Sequence, residues 1–215
     1  MYKKLFVLLT CLLPTLLMAQ TSDEKKFKLG FTTSPNLGWI NFQNSQSASS
    51  EVPESNGSKI GFSYGLIGDF GFSDNYYFST GIVITSVNAN VISPAISAAS
   101  AEEKYKLQYL EVPLTVKLKS TENNLMRYYG QFGLSPGVNI SAKKSAANNK
   151  SNLDIAKDIN SFRLGLLFGA GAEWKLGQNL NLLTGLSYNN GFTDILDSDG
   201  KAKNSYLALN LGVFF

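Results

Sequence analysis

Six charged residues fall on the small, polar side of alternating segments: Asp69, Glu111, Lys117, Arg163, Glu173 and Lys175. Paired carboxylates can serve general acid–base chemistry, but carboxylates mixed with lysine and arginine more simply balance charge. The chain has no histidine, and its single cysteine is Cys11. The common nucleophile–base arrangements and Cys/His metal sites therefore lack their residues. No catalytic site, metal or cofactor is expected. Two readings of the six charges stay open. One is a salt-bridged plug that fills a closed interior; the other is a small gated pore or ligand site.

The elements that must hold these charges show period-2 alternation. Eight segments carry it: Phe27 to about Phe42, Lys59–Phe72, Tyr76 to about Val87, about Tyr105 to Lys119, Arg127 to about Ile140, Ser161–Leu176, Leu180 to about Phe192, and the C-terminal strand. In the second, Ile60, Phe62, Tyr64, Leu66, Phe70 and Phe72 oppose Gly61, Ser63, Gly65 and Asp69. In the last, Leu207, Leu209, Leu211, Val213 and Phe215 share one face. In the fourth, Tyr105, Leu107 and Tyr109 are out of phase with the apolar residues that follow, so a bulge or a protruding strand end is expected there.

Short connections at Ser73–Asn75, Thr121–Met126 and Gly177–Asn179 alternate with long polar ones at Gln43–Ser58, Asn88–Lys104, Ser141–Asn160 and Asp194–Lys203. That pattern predicts an all-β, eight-stranded antiparallel up-and-down transmembrane β-barrel with both termini on the short-turn, periplasmic side of a bacterial outer membrane. Eight strands leave an interior just wide enough for side chains. The faces rich in Gly, Ser, Thr and Asn suit that volume, so the bulky apolar faces are expected to meet lipid. Phe27, Phe72, Tyr76, Tyr128, Trp174 and Phe215 then sit near the periplasmic rim; Trp39, Phe162, Tyr188, Phe192 and Tyr206 sit near the outer one, with Tyr206 in the inward phase of its strand. Aromatic rings suit both interfaces. Along the lumen, Asp69, Lys117, Glu173 and Lys175 are expected toward the periplasmic end, Glu111 near mid-height and Arg163 near the outer end.

Lys3 and Lys4 followed by the apolar Leu5–Met18 and the small Ala19 read as a secretory signal peptide over 1–19, which leaves a barrel domain over 20–215. A transmembrane helix fits less well, because the stretch is short and broken by Pro14. A lipoprotein signal fits less well, because Cys11 lies inside the apolar region. The formal net charge of +3 is too small to argue for nucleic acid. Charged residues are 16% of the chain, and no later stretch could cross a bilayer as a helix. Four lysines in Ser141–Asn160 (Lys143, Lys144, Lys150 and Lys157) could meet lipopolysaccharide phosphates or simply be solvated.

The stretch Tyr109-Leu110-Glu111-Val112-Pro113-Leu114-Thr115-Val116-Lys117 resembles the Tyr-Leu-Glu-hydrophobic-Pro-Leu-hydrophobic-hydrophobic-Lys motif of the PorT-like outer-membrane β-barrel family. The resemblance takes in the signal peptide, the eight alternating segments and the aromatic C-terminus. It implies an integral outer-membrane protein, with Tyr109, Leu110, Glu111, Pro113 and Lys117 as structural motif residues. The namesake member assists a protein secretion system. Pro113 is unusual in mid-strand, since it removes a ladder donor. Three roles follow as expectations: a structural or surface-interaction barrel, an accessory of protein secretion or transport, and a lipid-modifying enzyme as the least favoured. The expected partners are outer-membrane lipid and lipopolysaccharide, the barrel-insertion machinery reading Phe215 as an assembly signal, and, on the second role, a secretion-complex protein.

Overall fold

The computed structural model describes residues 27–43, 54–93, 101–146, 153–156, 159–195 and 201–215. The expected signal peptide, residues 1–19, lies outside the described residues, as do Lys150 and Lys157. Ten strands run in chain order: β1 (Phe27–Gln43), β2 (Glu54–Ser73), β3 (Tyr76–Ser93), β4 (Ala101–Glu111), β5 (Leu114–Lys119), β6 (Met126–Ala146), β7 (Leu153–Asp154), β8 (Phe162–Lys175), β9 (Asn181–Gly191) and β10 (Lys201–Phe214). β4 and β5 form one stave in two pieces, and β7 is a short appendage on β6. The result is a closed antiparallel ring of eight staves in which each pairs with its sequence neighbours, and β1 pairs with β10 to close it. Closure removes the unpaired edges that an open sheet would expose.

Alternation decides which side chains enter. On β10 the outward row Leu207, Leu209, Leu211, Val213 and Phe215 is exposed, while Tyr206, Ala208 and Phe214 are buried inside. Phe31 leans on Phe215 across the closing seam, with ring centroids 5.8 Å apart, and Phe215 N donates to Leu29 O. The expected rim aromatics Phe27, Phe72, Tyr76, Tyr128 and Trp174 are exposed at one end. Trp39 stacks on Tyr188 toward the other. Tyr206 belongs to neither girdle: it is 5% exposed and points into the lumen.

Two expectations change. The phase of the fourth stave is unbroken, because Leu107, Tyr109, Glu111, Thr115, Lys117 and Lys119 are all buried inward. The irregularity is on its partner: Gln108 opposes Ser141 but Tyr109 opposes Asn139, so Ile140 is the extra residue on β6. Ile140 keeps the outward phase of Val138, and past it the bulge shifts the phase so that Ala142 points inward. The interruption between β4 and β5 falls at Val112–Pro113, where proline has no N–H to give; Val112 N still donates to Pro136 O at 2.9 Å. Finally, the long connections are shorter than they read. β2, β3 and β6 have 20, 18 and 21 residues, where a stave crossing a bilayer needs about 9–11. The polar ends of these strands have the composition of loops.

The turn between β5 and β6 closes on two residues of unusual backbone. Asn123 and Met126 exchange both backbone hydrogen bonds, and the two central residues have left-handed backbones, Asn124 at φ 48° and Leu125 at φ 68°. Asparagine tolerates that region; a bulky residue does not. Replacing Leu125 with Gly should therefore stabilise the barrel by about 1 kcal/mol, read as a higher temperature for loss of heat-modifiable gel migration. An unchanged temperature would show that the turn is not strained.

Candidate functional site

The lumen is the site, and it is layered along the barrel axis. At the short-turn end a cavity of about 650 Å³ opens between the staves, lined among others by Lys28, Glu122, Arg127, Lys175, Glu173 and Phe214. Lys175 belongs to this rim. It is exposed and faces Glu122 at 3.4 Å, as does Arg127.

Above the vestibule lies a four-membered charge cluster. Lys117 Nζ sits 2.9 Å from both oxygens of Asp69. Lys119 Nζ is 2.8 Å from Asp69 Oδ2 and 2.6 Å from Glu173 Oε1. All four residues are 3% exposed or less. The Lys119–Glu173 contact is an ion pair outside hydrogen-bond geometry, and Glu173 Oε2 has no hydrogen-bond partner among the described residues. Aromatic rings frame the cations. Lys119 lies 4.1 Å from the Tyr77 centroid, and Phe214 lies within 5.2 Å of Lys117. Two acids and two bases cancel, which is what makes burial tolerable.

Next comes a chamber of about 90 Å³ with a mixed lining: hydroxyl and amide side chains such as Thr85, Ser135 and Gln131 share it with Ile67, Val83, Leu167 and Leu183, and Glu111, Lys117 and Pro113 touch it. It has room and polar partners for a few waters.

The second charge cluster lies beyond it and is built around Arg163. Nη1 donates to Glu111 Oε1 at 2.9 Å, Nη2 to Asn189 Oδ1 at 2.8 Å, and Nε to Asn204 Oδ1 at 2.7 Å. Glu111 Oε2 accepts from Tyr206 Oη at 2.7 Å and from Thr85 Oγ1 at 3.2 Å. The guanidinium lies 5.6 Å from the Tyr109 ring centroid and 5.5 Å from that of Tyr206. A planar fork with several fixed donors suits this position; a lysine point charge could not reach all three acceptors. Gly137 pairs with Glu111 on one side and Arg163 on the other. A Cβ at Gly137 would come 3.0 Å from Glu111 Cγ, so the missing side chain opens the path between the two charges. Arg163 is therefore level with Glu111, not near the outer end as its place in the sequence suggested.

The long-loop half of the lumen is apolar. Ile40, Ala89, Val91, Leu107, Tyr109, Ala142, Ile159, Ile195 and Ala202 form one buried cluster, with Tyr105 and Ile155 packed against it. Ile155, Ile159 and Ile195 come from connections, and backbone bonds Ile155 N→Ala142 O, Asn160 N→Ile195 O and Ile195 N→Ala202 O hold those connections over the opening. The expectation of a small-and-polar lumen throughout fails here. Isolated isoleucines in polar loops were the available signal. The motif residues divide accordingly. Glu111 and Lys117 serve different charge clusters, Tyr109 joins the apolar plug, Pro113 lines the chamber, and Leu110 points outward. Lys119, Tyr206, Asn189, Asn204 and Thr85 were missed. Lys119 was in the right phase but sat at the end of its segment, and the neutral partners carry no charge to mark them.

Chemically, this arrangement consumes itself. Glu111 is saturated by Arg163, Tyr206 and Thr85, and Asp69 is held by two ammonium groups. Replacing Asp69 with Asn should cost about 3–5 kcal/mol by leaving a buried cation uncompensated, seen as a lower temperature of heat-modified migration. Adding Lys117→Met should recover most of the loss, because one acid and one base then remain. If the double substitution is no more stable than the single one, charge balance is not what holds this level. The apolar plug should also keep planar-bilayer recordings free of sustained conductance.

No curated protein sequence matches this chain. Among solved structures, Neisserial surface protein A superposes with a TM-score of 0.50 at 14% identity, covering 88% of this chain and 97% of that one. OprG from Pseudomonas aeruginosa gives 0.44 at 16% identity, over 88% and 94%. Ail, the attachment invasion locus protein of Yersinia pestis, gives 0.41 at 15%, over 88% and 99%. At these identities the likeness is one of fold. The model of the outer membrane protein beta-barrel domain matches residues 18–197. An eight-stave ring with an apolar exterior and a self-neutralised lumen agrees with that match, and the chain belongs to the outer membrane protein beta-barrel domain family, as an integral protein of the bacterial outer membrane.

Proposed function

We propose that this barrel is a non-enzymatic surface protein whose contacts are made at its long-loop end, with that end outside and both ends of the barrel chain in the periplasm. The observation that carries the reading is the sealed lumen. Its charges neutralise one another in two clusters, and an apolar plug closes the end where the long connections lie. Side chains left free to meet a partner are then those of the outer rim and the loops, where binding residues on rigid scaffolds concentrate. The short, tight turns at the opposite end support the orientation, since periplasmic turns of such barrels are short.

The same proposal includes a signal peptide over residues 1–19 and a barrel domain over 20–215, outer-membrane lipid and lipopolysaccharide as surroundings, and assembly by the barrel-insertion machinery acting on β10 with its outward row ending in Phe215. The second reading is an accessory role in protein secretion, on the PorT-like resemblance of Tyr109–Lys117. The vestibule of about 650 Å³ at the short-turn end favours it, because a concave polar mouth facing the periplasm offers a partner a place to dock.

Pull-downs from native outer membranes separate the readings. Shortening the connections 44–53 and 94–100 should leave insertion and heat-modifiable migration intact while removing captured partners. Partners that survive the shortening, together with loss of exported proteins in a deletion strain, would favour the secretion role. Turnover of lipid by the detergent-purified barrel would overturn the non-enzymatic reading.

A further inference from the structure

The outward face of the protruding strand ends carries lysines where the membrane face carries leucines. On β6 the outward residues Val138 and Ile140 are exposed and apolar, and Phe162 stands beside Val138 on β8. Past the bulge the next outward residue is Lys143, which is exposed. On β4, outward Leu110 gives way to Gln108, Lys106 and Lys104, and both lysines are exposed. The register sets Lys106 directly opposite Lys143 and Lys104 opposite Ser145. On the other flank, Asn88 is opposite Lys106 and donates to Ile60 O at 2.7 Å, and Asn90, opposite Lys104, is buried.

Directly opposed side chains on one sheet face are about 5 Å apart at Cβ, and like charges placed so repel. None of the three lysines makes an ion pair among the described residues. Asp154, across from Lys143 on β7, accepts from the Ala156 amide at 2.9 Å instead. Lys144, which the sequence grouped with Lys143, is used elsewhere: it pairs with Glu103 at 2.7 Å beside the Tyr105 ring. Two opposed lysines flanked by a third, against one carboxylate at Asp154 and with an apolar band just below, leave a net positive patch that is complementary to a phosphate held at the edge of a bilayer.

We propose that Lys104, Lys106 and Lys143 form a binding site for the phosphorylated headgroup of an outer-leaflet lipid, which docks against the outside of the β4–β6 face with its acyl chains along Val138, Ile140 and Phe162. The site rests on the orientation given above, with the long-loop end outside. It gives the barrel a lipid contact at one side of its outer rim.

The test uses the full chain purified in detergent and native mass spectrometry, with diphosphorylated lipid A as probe beside its dephosphorylated form and inorganic phosphate. The wild type should retain the diphosphorylated lipid and release it as salt rises. Each Lys→Gln change should weaken retention roughly fivefold, and K104Q/K106Q/K143Q on the order of a hundredfold; all three side chains are exposed, so the variants should keep heat-modifiable migration. Equal retention by the triple variant, or equal retention of the dephosphorylated lipid, would overturn the site. Competition by inorganic phosphate at the same concentration as the lipid would overturn the lipid as its occupant. Ser145→Cys, labelled with an impermeant maleimide, tests the orientation separately. Labelling of intact cells supports it, and labelling only after permeabilisation removes it whatever the detergent assay shows.

Discussion

A ring of eight staves has an interior only as wide as the side chains that enter it, and every other feature of this protein answers to that width. In lipid no backbone group can be left unpaired, so the sheet must close. Once it closes, every second residue is committed to a space with little room for water. Charges that enter must find opposite charges within contact distance, and the observed ion pairs of 2.6–2.9 Å in the lumen are the result. Gly137 then becomes structural, because a side chain there would crowd Glu111 where it meets Arg163 over the intervening stave β6.

The two charge clusters meet the constraint differently. Asp69, Lys117, Lys119 and Glu173 balance as two acids and two bases, with aromatic faces around the cations. Glu111 and Arg163 balance as one pair and spend their remaining hydrogen bonds on neutral groups: Thr85, Asn189, Asn204 and Tyr206. The second arrangement is more fully satisfied and more directional. Beyond it the lumen turns apolar and behaves like the core of a soluble β-protein. That core lies within strand ends longer than a bilayer needs, so the described part of the rim above the apolar exterior is paired sheet.

Much of the ring was legible because alternation has a period of two and needs only local sequence. The apolar rows, the aromatic ends and the short turns all follow from it. Five lumen charges, Asp69, Glu111, Lys117, Arg163 and Glu173, were legible for the same reason, since a charged residue in the inward phase of a stave enters the lumen. Lys175 reached only the rim, and Lys119 was overlooked at the end of its segment. Arg163 was placed too far out, because stave tilt and register offset move a residue along the axis by amounts that local sequence does not carry. Of the two expectations for the start of the fourth stave, the protruding strand end holds, and the bulge lies on its partner β6. An out-of-phase apolar run at Tyr105–Tyr109 looks like a slipped register, whereas it is an in-register run facing an apolar plug.

The sequence by itself determined the stave count, the inward phase and the outward apolar surface, because each depends on residue type and spacing along a single strand. The tertiary structure alone decided which charge meets which, where the polar lumen becomes dry, and that Lys106 stands opposite Lys143. Those are relations between strands far apart in the chain. They depend on register, tilt and one extra residue at Ile140, and alternation is blind to all three.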